Sequence, residues 1–259
     1  MSSPMAYDRA FYETLHAGSA ASAAVVLRQL RDLLLPDLPG SIVDLGCGDG
    51  SWLSVSREVL RPRRILGVDG GGVQEAGSLR IRPDEFLATD LETELNVLER
   101  KLPAFELAMC LEVAEHLPES SAKPLIETLC KLAPLVLFSA AVPSQGGTRH
   151  INEQWPSYWV PMCAAAGFQC IDNLRSAIWS VAEVEWWYRQ NLLLFASEQA
   201  LRRWQTLAGL LRPRAVPTDF DLVHPEFFRV AMARSADRRS PVGRLFIRLF
   251  RHLSDRYAS

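Results

Sequence analysis

The chain has 259 residues, of which 48% are hydrophobic and 22% are charged, and its formal net charge is −2. This composition is that of a soluble globular protein with a sizeable core, and the charge gives no whole-chain basis for nucleic-acid binding. The five cysteines form no C-x-x-C pairs, which favours reduced thiols and excludes a zinc site of that type. The sequence has neither a signal-peptide core nor an apolar run long enough to span a membrane, and it therefore predicts a cytoplasmic protein.

The first 40 residues are predicted to form a helical cap. Apolar residues recur at helical spacing, which predicts two helices over residues 5–17 and 19–35, and the proline and glycine residues of 36–40 end the second.

A strand, a glycine turn and a helix follow. Ile42 and Val43 suit a buried strand, the strand ends near Asp44, and glycines at 46, 48 and 50 allow a tight turn before helical spacing resumes at Trp52. Such a turn places backbone N–H groups and a helix N-terminus beside a nucleotide. The order G-x-G-x-G departs from the dinucleotide pattern G-x-G-x-x-G, which argues against NAD.

Three more apolar strands end in acids. Residues 65–69 end in Asp69, residues 86–91 contain Asp90, and residues 107–112 end in Glu112. In open α/β sheets ligands bind at the carboxyl ends of the strands, so these acids and Asp44 are expected at one ligand-binding edge.

The remaining pattern completes an α/β fold. A loop or single turn is predicted between Gly70 and Pro83; helices over 119–132, 156–166, 198–211 and 243–256; and strands over 135–138, 168–171 and 192–196. We therefore predict a doubly wound, mostly parallel, seven-stranded Rossmann-like sheet. The predicted domains are a cap over 1–40, a core over 41–198 and a basic helical extension over 199–259, with the helices of the extension outside the core.

The segment Asp44-Leu-Gly-Cys-Gly-Asp-Gly50 resembles the first motif of class I S-adenosylmethionine (SAM)-dependent methyltransferases. Residues 112–119, 138–159 and 186–191 are similar to a bacterial subfamily that accompanies glycan and natural-product biosynthesis. The resemblance covers about residues 19–198, and it implies that the last strand is inserted antiparallel.

This resemblance implies SAM as cofactor, with S-adenosylhomocysteine as product. Asp69 is expected on the ribose hydroxyls, Asp90 on the adenine amino group, and Asp44 near the turn and the methionine ammonium. The predicted cofactor-binding residues are Asp44, Gly46, Cys47, Gly48, Trp52, Asp69, Gly70, Asp90, Leu91, Leu111 and Glu112.

Glu115, His116 and His150 are the predicted catalytic residues. Glu112, Glu115 and His116 are spaced i, i+3 and i+4, which predicts one helical turn with all three on a single face. His116 or His150 is expected to act as a base on an acceptor hydroxyl, because histidine titrates near neutral pH. The alternative to a catalytic role for His116 is a structural role, in which the histidine orders the turn. No metal is predicted.

These observations predict O-methylation of a small molecule, such as a sugar-containing glycan precursor or a natural product. One alternative is metal-dependent 2′-O-methylation of RNA 3′ ends, because the pattern of those enzymes matches Glu112, Glu115, His116 and His150. Another is a non-catalytic SAM-binding module. Nucleic acid is not the favoured partner.

Two terminal segments carry further expectations. Tyr7 and Tyr12 lie on a predicted helix. This helix is expected either to fold over the cofactor or to have only a packing role. Residues 229–259 hold eight arginines against two aspartates, and the helix over 243–256 has an apolar stripe opposite a basic one. Such a helix suits packing on its own domain, a contact with a second subunit or an anionic membrane surface.

Overall fold

Seven strands form one sheet in a computed structural model that describes residues 9–70, 72, 77–212 and 216–237. The strands are β1 (Ser41–Leu45), β2 (Arg64–Asp69), β3 (Phe86–Ala88), β4 (Leu107–Leu111), β5 (Leu135–Ser139), β6 (Phe168–Ile171) and β7 (Leu193–Ser197). Their order across the sheet is β3-β2-β1-β4-β5-β7-β6. β7 is antiparallel to both of its neighbours, while the pairs from β3 to β5 are parallel. The predicted seven-stranded, mostly parallel fold is confirmed.

The described helices lie between and after these strands. They are α1 (Arg9–Leu34), α2 (Ser51–Val59), α3 (Leu95–Lys101), α4 (Ala122–Leu132), α5 (Pro156–Ala165), α6 (Asn173–Ile178), α7 (Trp186–Asn191), α8 (Glu198–Arg203), α9 (Gln205–Leu210) and α10 (Pro225–Asp237). Short 3-10 turns occur at Pro83–Glu85, Ala114–His116, Glu119–Ser121 and Pro217–Phe220.

The sheet has a hydrophobic core on each face. Along β4, Leu107, Met109 and Leu111 belong to one core, while Ala108 and Cys110 belong to the other, as the two-residue period of a strand requires. All five residues are buried, which explains why the central strands read as continuous apolar runs. α1 packs into the first core, and α4 packs into the second.

The two helices predicted before residue 36 are wrong, because α1 is continuous from Arg9 to Leu34. Gly18 does not end the helix but allows close packing: a Cβ there would lie 2.3 Å from Oε1 of Glu185. Tyr7 lies outside the described residues, and the packing of the Tyr12 side chain is outside them too.

The predicted placement of residues 198–211 outside the core is also wrong. α8 and α9 are separated at Trp204, and the side chains of Leu201, Trp204 and Leu207 are buried in the first core. These two short helices therefore contribute to the first hydrophobic core of the sheet.

The described residues fall into two units, divided after Asp221. The second unit contains α10, and the predicted helix over 243–256 lies outside the described residues. So do residues 71 and 73–76 of the predicted loop. The division into cap, core and extension stays a prediction. None of the helices in the described part of the chain is long and apolar enough to cross a membrane.

Candidate active site

Four acids lie at or just beyond the carboxyl ends of neighbouring parallel strands. Asp44 is in β1, Asp69 ends β2, Asp90 lies two residues after β3, and Glu112 directly follows β4. In the sheet register Asp44 pairs with Gly67 of β2, and Asp69 pairs with Ala88 of β3. The strand pairing therefore brings the four positions to one edge of the sheet.

The turn after β1 depends on glycine. Gly46, Gly48 and Gly50 have φ values of 80°, 54° and 81°, a region that strongly favours glycine. A Cβ on Gly46 would lie 2.3 Å from Cγ2 of Val113, whereas a Cβ on Gly48 would meet no described atom within 4 Å. The turn is thus tight against the protein at Gly46 and open at Gly48, which leaves room beside the backbone there.

Asp69 ties this turn to β2. Its Oδ2 accepts a hydrogen bond from the backbone N–H of Gly48 at 2.7 Å, and its Oδ1 accepts one from Gly70 at 2.7 Å. Burial raises the pKa of Asp69, and these two N–H groups lower it in part. Each oxygen has a further lone pair, so the carboxylate can still accept from ligand hydroxyls.

The carboxylate of Asp44 is buried, and no hydrogen bond from the described residues to its Oδ1 offsets the cost of that burial. Its side chain is 3% exposed, and Oδ1 has no hydrogen-bond partner among the described residues. Burial and then the charge of Asp69 raise its pKa to about 7. A buried, unpaired carboxylate is costly, and a cationic group bound beside it would stabilise its ionised form.

The other predicted cofactor residues divide into buried and exposed. Cys47, Leu91 and Leu111 are buried, and burial raises the pKa of the Cys47 thiol. Asp90 and Gly70 are exposed, and Asp90 accepts a hydrogen bond from the backbone N–H of Glu92 at 2.8 Å.

Trp52 at the start of α2 contacts a residue far along the chain. Its indole N–H donates to the hydroxyl of Tyr188 at 3.3 Å, and the two rings meet edge to face with centroids 5.1 Å apart. Both side chains are buried. Burial, and then the charge of Glu112, raise the pKa of Tyr188. α7 is thereby fixed against the helix that follows the glycine turn.

Glu112 is held by two amide side chains. Its carboxylate accepts hydrogen bonds from Nε2 of Gln145 at 2.7 Å and from Nδ2 of Asn191 at 3.1 Å. Asn191 also donates to Oε1 of Gln145 at 2.8 Å, which closes the network. Burial raises the pKa of Glu112, while Asn191 and Gln145 lower it in part. These partners link β4, the loop after β5 and α7.

The predicted single helical face over 112–116 is wrong. Glu112 has a φ of +55°, and this left-handed residue separates β4 from the 3-10 turn Ala114–His116. The side chain of Glu112 joins its amide network and still lies close enough to Glu115 to raise the pKa of that carboxyl.

Glu115, His116 and His150 do come together. One ligand-type atom from each lies within 4.8 Å of the others, and the two imidazole rings meet edge to face at 4.8 Å. The backbone carbonyl of Glu115 accepts from Ile151 at 2.9 Å and from Asn152 at 3.1 Å, which docks the later loop on the 3-10 turn.

Burial is the largest cause of the pKa shifts of Glu115 and His116. Glu115 is 0% exposed, and neither carboxylate oxygen has a hydrogen-bond partner among the described residues. Burial and then repulsion from Glu112 raise its pKa. Burial and then the neighbouring His150 lower the pKa of His116 to about 4. His116 is therefore neutral at physiological pH.

The sequence pattern does not predict the partners that hold these residues. Gln145, Asn191 and Tyr188 lie within segments quoted for the resemblance, but no local spacing pairs them with Glu112 or Trp52. Glu153 does not cap the next helix, since α5 begins after Trp155 with no side-chain cap. Its carboxylate instead bonds His150.

The opposite edge of the sheet, where the parallel strands begin, contains a cavity and a set of ion pairs. A cavity of about 360 Å³ lies there, lined in part by Glu106, Lys131, Arg203 and Trp204. Arg203 bonds both Asp37 and Glu106. These ion pairs join the segment before β1 to the start of β4, so we interpret this edge as structural.

Comparison with known proteins assigns the family. A family model described as a methyltransferase domain matches residues 20–210, well over half of the chain. No curated protein sequence matches this chain.

Solved structures also match. An O-methyltransferase family protein from Burkholderia thailandensis is 15% identical with a TM-score of 0.47, and the match covers 67% of this chain and 54% of that one. CalO1, a methyltransferase in calicheamicin biosynthesis, is 16% identical with a TM-score of 0.48, covering 72% and 56%. Magnesium protoporphyrin IX methyltransferase from Synechocystis PCC 6803 is 19% identical with a TM-score of 0.47, covering 70% and 80%. The chain spans about half the length of the first two, and these matches assign it no substrate.

The family match spans the glycine turn, the four strand-end acids and the Glu115–His116–His150 group. The chain therefore belongs to the methyltransferase-domain family, and SAM is the cofactor that this membership assigns to it.

Proposed function

We propose that the chain transfers a methyl group from SAM to an oxygen of a small-molecule acceptor, such as a sugar-containing glycan precursor or a natural product. The observation that carries this proposal is the Glu115–His116–His150 group, in which Glu115 and His116 follow β4, the strand that pairs with β1 before the glycine turn. We infer that this group faces the acceptor and that one of its imidazoles takes the proton of the acceptor hydroxyl.

The residues of the cofactor edge fit the assigned cofactor. Asp69 has lone pairs left for ribose hydroxyls, and Asp90 is exposed and can accept from an adenine amino group. The unpartnered Oδ1 of Asp44 suits the methionine ammonium, and the space beside Gly48 suits a ligand close to the backbone. When bound, SAM supplies a methyl group that is already activated on a sulfonium.

The protein then has two tasks, to align the acceptor and to remove its proton. His116 is a poor proton acceptor, because its pKa is lowered to about 4. His150 lies on the loop after β5 and has a carboxylate partner, so we assign the base role to His150. In this proposal, His116 and Glu115 line the site and orient the acceptor.

The acceptor is found by offering methyl-labelled SAM to fractionated host extract and identifying the labelled product by mass spectrometry. With that acceptor, His150→Gln should lower turnover by ~10²–10⁴-fold while leaving SAM affinity nearly unchanged, because only the proton transfer is lost. Thr148→Ala, an exposed change in the same loop, is the control. Full turnover in His150→Gln would contradict the base role.

A second candidate function, metal-dependent methylation, is favoured by one observation. Glu115 is fully buried with two unpartnered oxygens, His116 has an unpartnered Nδ1, and His150 completes a group within 4.8 Å. A carboxylate and two imidazoles are ligands that divalent ions such as Mn²⁺ or Zn²⁺ accept. Glu112 is not part of this group, so three of the four residues of the RNA methyltransferase pattern gather, and its carboxylate has amide partners instead.

Chelation separates the two candidates. If the group holds an ion, activity is lost in chelator and restored by manganese or magnesium, and Glu115→Gln is as damaging as His150→Gln. If His150 acts as a base without an ion, chelator leaves turnover unchanged. Calorimetric titration of the chelator-treated protein with Mn²⁺ gives an answer that needs no acceptor.

A further inference from the structure

The loop between β5 and α5 is organised around one carboxylate, that of Glu153. Its Oε2 accepts from the backbone N–H of Ser144 at 2.8 Å, and its Oε1 accepts from that of Gly146 at 2.6 Å. Oε1 also lies 3.0 Å from Nδ1 of His150. The side chains of Glu153 and His150 are 19% and 12% exposed, so water competes little for these bonds.

The hydrogen bonds to Glu153 stabilise a loop whose backbone is strained. Ser144 and Arg149 have φ values of +73° and +61°, and left-handed conformations of residues other than glycine cost about 1–3 kcal/mol each. Bonds from N–H groups to a carboxylate are stronger than those to neutral acceptors and help to offset that cost. Glu153 therefore stabilises the segment that carries His150.

The carboxylate also decides which nitrogen of His150 carries the proton. An ionised carboxylate only accepts hydrogen bonds, so a neutral His150 bonded to Glu153 has its proton on Nδ1 and a bare lone pair on Nε2. Gly147 leaves room for that nitrogen, since a Cβ there would lie 2.1 Å from Nε2. The loop thus fixes both the place of the ring and its tautomer.

We propose that Glu153 is the positioning residue of a Glu153–His150 pair, which holds His150 as the Nδ1–H tautomer and leaves Nε2 as the working nitrogen. The proposal deepens the proposed function and rests on it for the identity of the reaction. The same tautomer serves whether Nε2 takes a proton from an acceptor or binds a cation, because either role needs an unprotonated nitrogen.

The tautomer is measured directly by ¹⁵N NMR on protein with labelled histidine, without any acceptor. The His150 signal is assigned by its loss in His150→Gln. We expect the Nδ1–H form in the native protein and in Glu153→Gln, whose amide oxygen still accepts from Nδ1. We expect a shift toward the Nε2–H form in Glu153→Ala, which leaves Nδ1 without its acceptor.

His224 is an internal control. Its Nδ1 accepts from the backbone N–H of Glu226 at 3.2 Å, so it should report the Nε2–H form in every variant. Backbone amide signals outside the loop test whether Glu153→Ala keeps its fold. An Nε2–H form of His150 in the native protein, or an unchanged Nδ1–H form in a folded Glu153→Ala, would overturn the proposal.

Kinetics then separate this proposal from the one on which it rests. Glu153→Ala should lower kcat by about 10- to 100-fold with little change in KM for SAM, and Glu153→Gln should restore most of that loss. A tautomer shift without a fall in kcat would leave the positioning of His150 standing and would contradict its base role.

Discussion

At the scale of single residues, the acids of the sheet edge serve both the fold and the proposed ligand. Asp69 holds the N–H groups of Gly48 and Gly70, and it is the residue proposed for the ribose hydroxyls. Its substitution therefore tests ligand binding only if the fold is measured alongside.

Asp69→Ala should weaken SAM binding by about 10- to 100-fold, because hydrogen bonds to a charged group contribute about 1.5–3 kcal/mol. Calorimetry on variants with native-like circular dichroism measures the effect. Glu58→Ala, an exposed carboxylate on α2, is the control and should bind as the native protein does. Unchanged affinity in a folded Asp69→Ala would remove this residue from the cofactor site.

Asp44 should make the stability of the ligand-free protein depend on pH. Its pKa in the folded protein is about 7, whereas an unfolded aspartate titrates near 3.8. The folded state thus retains a proton that the unfolded state releases, and stability falls as pH rises from about 4 to about 7. Asp44→Asn lacks this loss, so it should gain in urea midpoint over the native protein more at pH 8 than at pH 5. An equal difference at both pH values would contradict the prediction.

The sequence predicts which acids end the strands, because apolar runs followed by an acid are local patterns. It does not predict the partners of Glu112, since Asn191 lies 79 positions away and reaches it only through the fold. Nor does a local pattern reveal the left-handed backbone of Glu112, which breaks the expected helical turn.

At the scale of elements, a buried arginine joins three pieces of the chain. Arg175 in α6 is 1% exposed and pairs through both its Nε and a terminal nitrogen with Asp172. Its other terminal nitrogen donates to the backbone carbonyls of Gln190 and Phe220, at 3.0 Å and 2.9 Å. Because Gln190 is in α7, this arginine supports the helix that supplies Tyr188 and Asn191.

Arg175→Met should lower the free energy of unfolding by about 3–5 kcal/mol, because the largely buried carboxylate of Asp172 would lose its ion pair with Arg175. Urea denaturation measures the loss. The matched control is Arg202→Met, which breaks the exposed pair of Arg202 with Glu198 and should cost about 0.5 kcal/mol or less. Similar losses in the two variants would contradict the structural role of Arg175.

Element prediction succeeded where one pattern decides the outcome. β4 and β5 are apolar throughout because both faces are covered, so their strands are visible in the sequence. The course of α1 through Gly18 depends on contact with Glu185, and the burial of Trp204 depends on packing against the sheet. Both are long-range contacts that helical spacing does not contain.

At the scale of the whole molecule, ligand binding should be visible as stability. A ligand that binds only the folded state at 100 times its Kd adds about 2.7 kcal/mol to the free energy of unfolding. SAM and S-adenosylhomocysteine should therefore raise the melting temperature, and Asp69→Ala should reduce that rise. NAD at the same concentration should give no shift, and a rise with NAD equal to that with SAM would contradict the cofactor assignment.

The sheet order divides the site between two stretches of the gene. The residues of the cofactor edge from Asp44 to Asp90 are encoded before β4, and those from Glu112 to Asn191 after it. Under the proposed function, the later stretch, which carries His150, can therefore diverge with the acceptor while the earlier stretch remains under its own selection. The bond between Trp52 and Tyr188 crosses this division, so a mutation at either position should require a compensating mutation at the other.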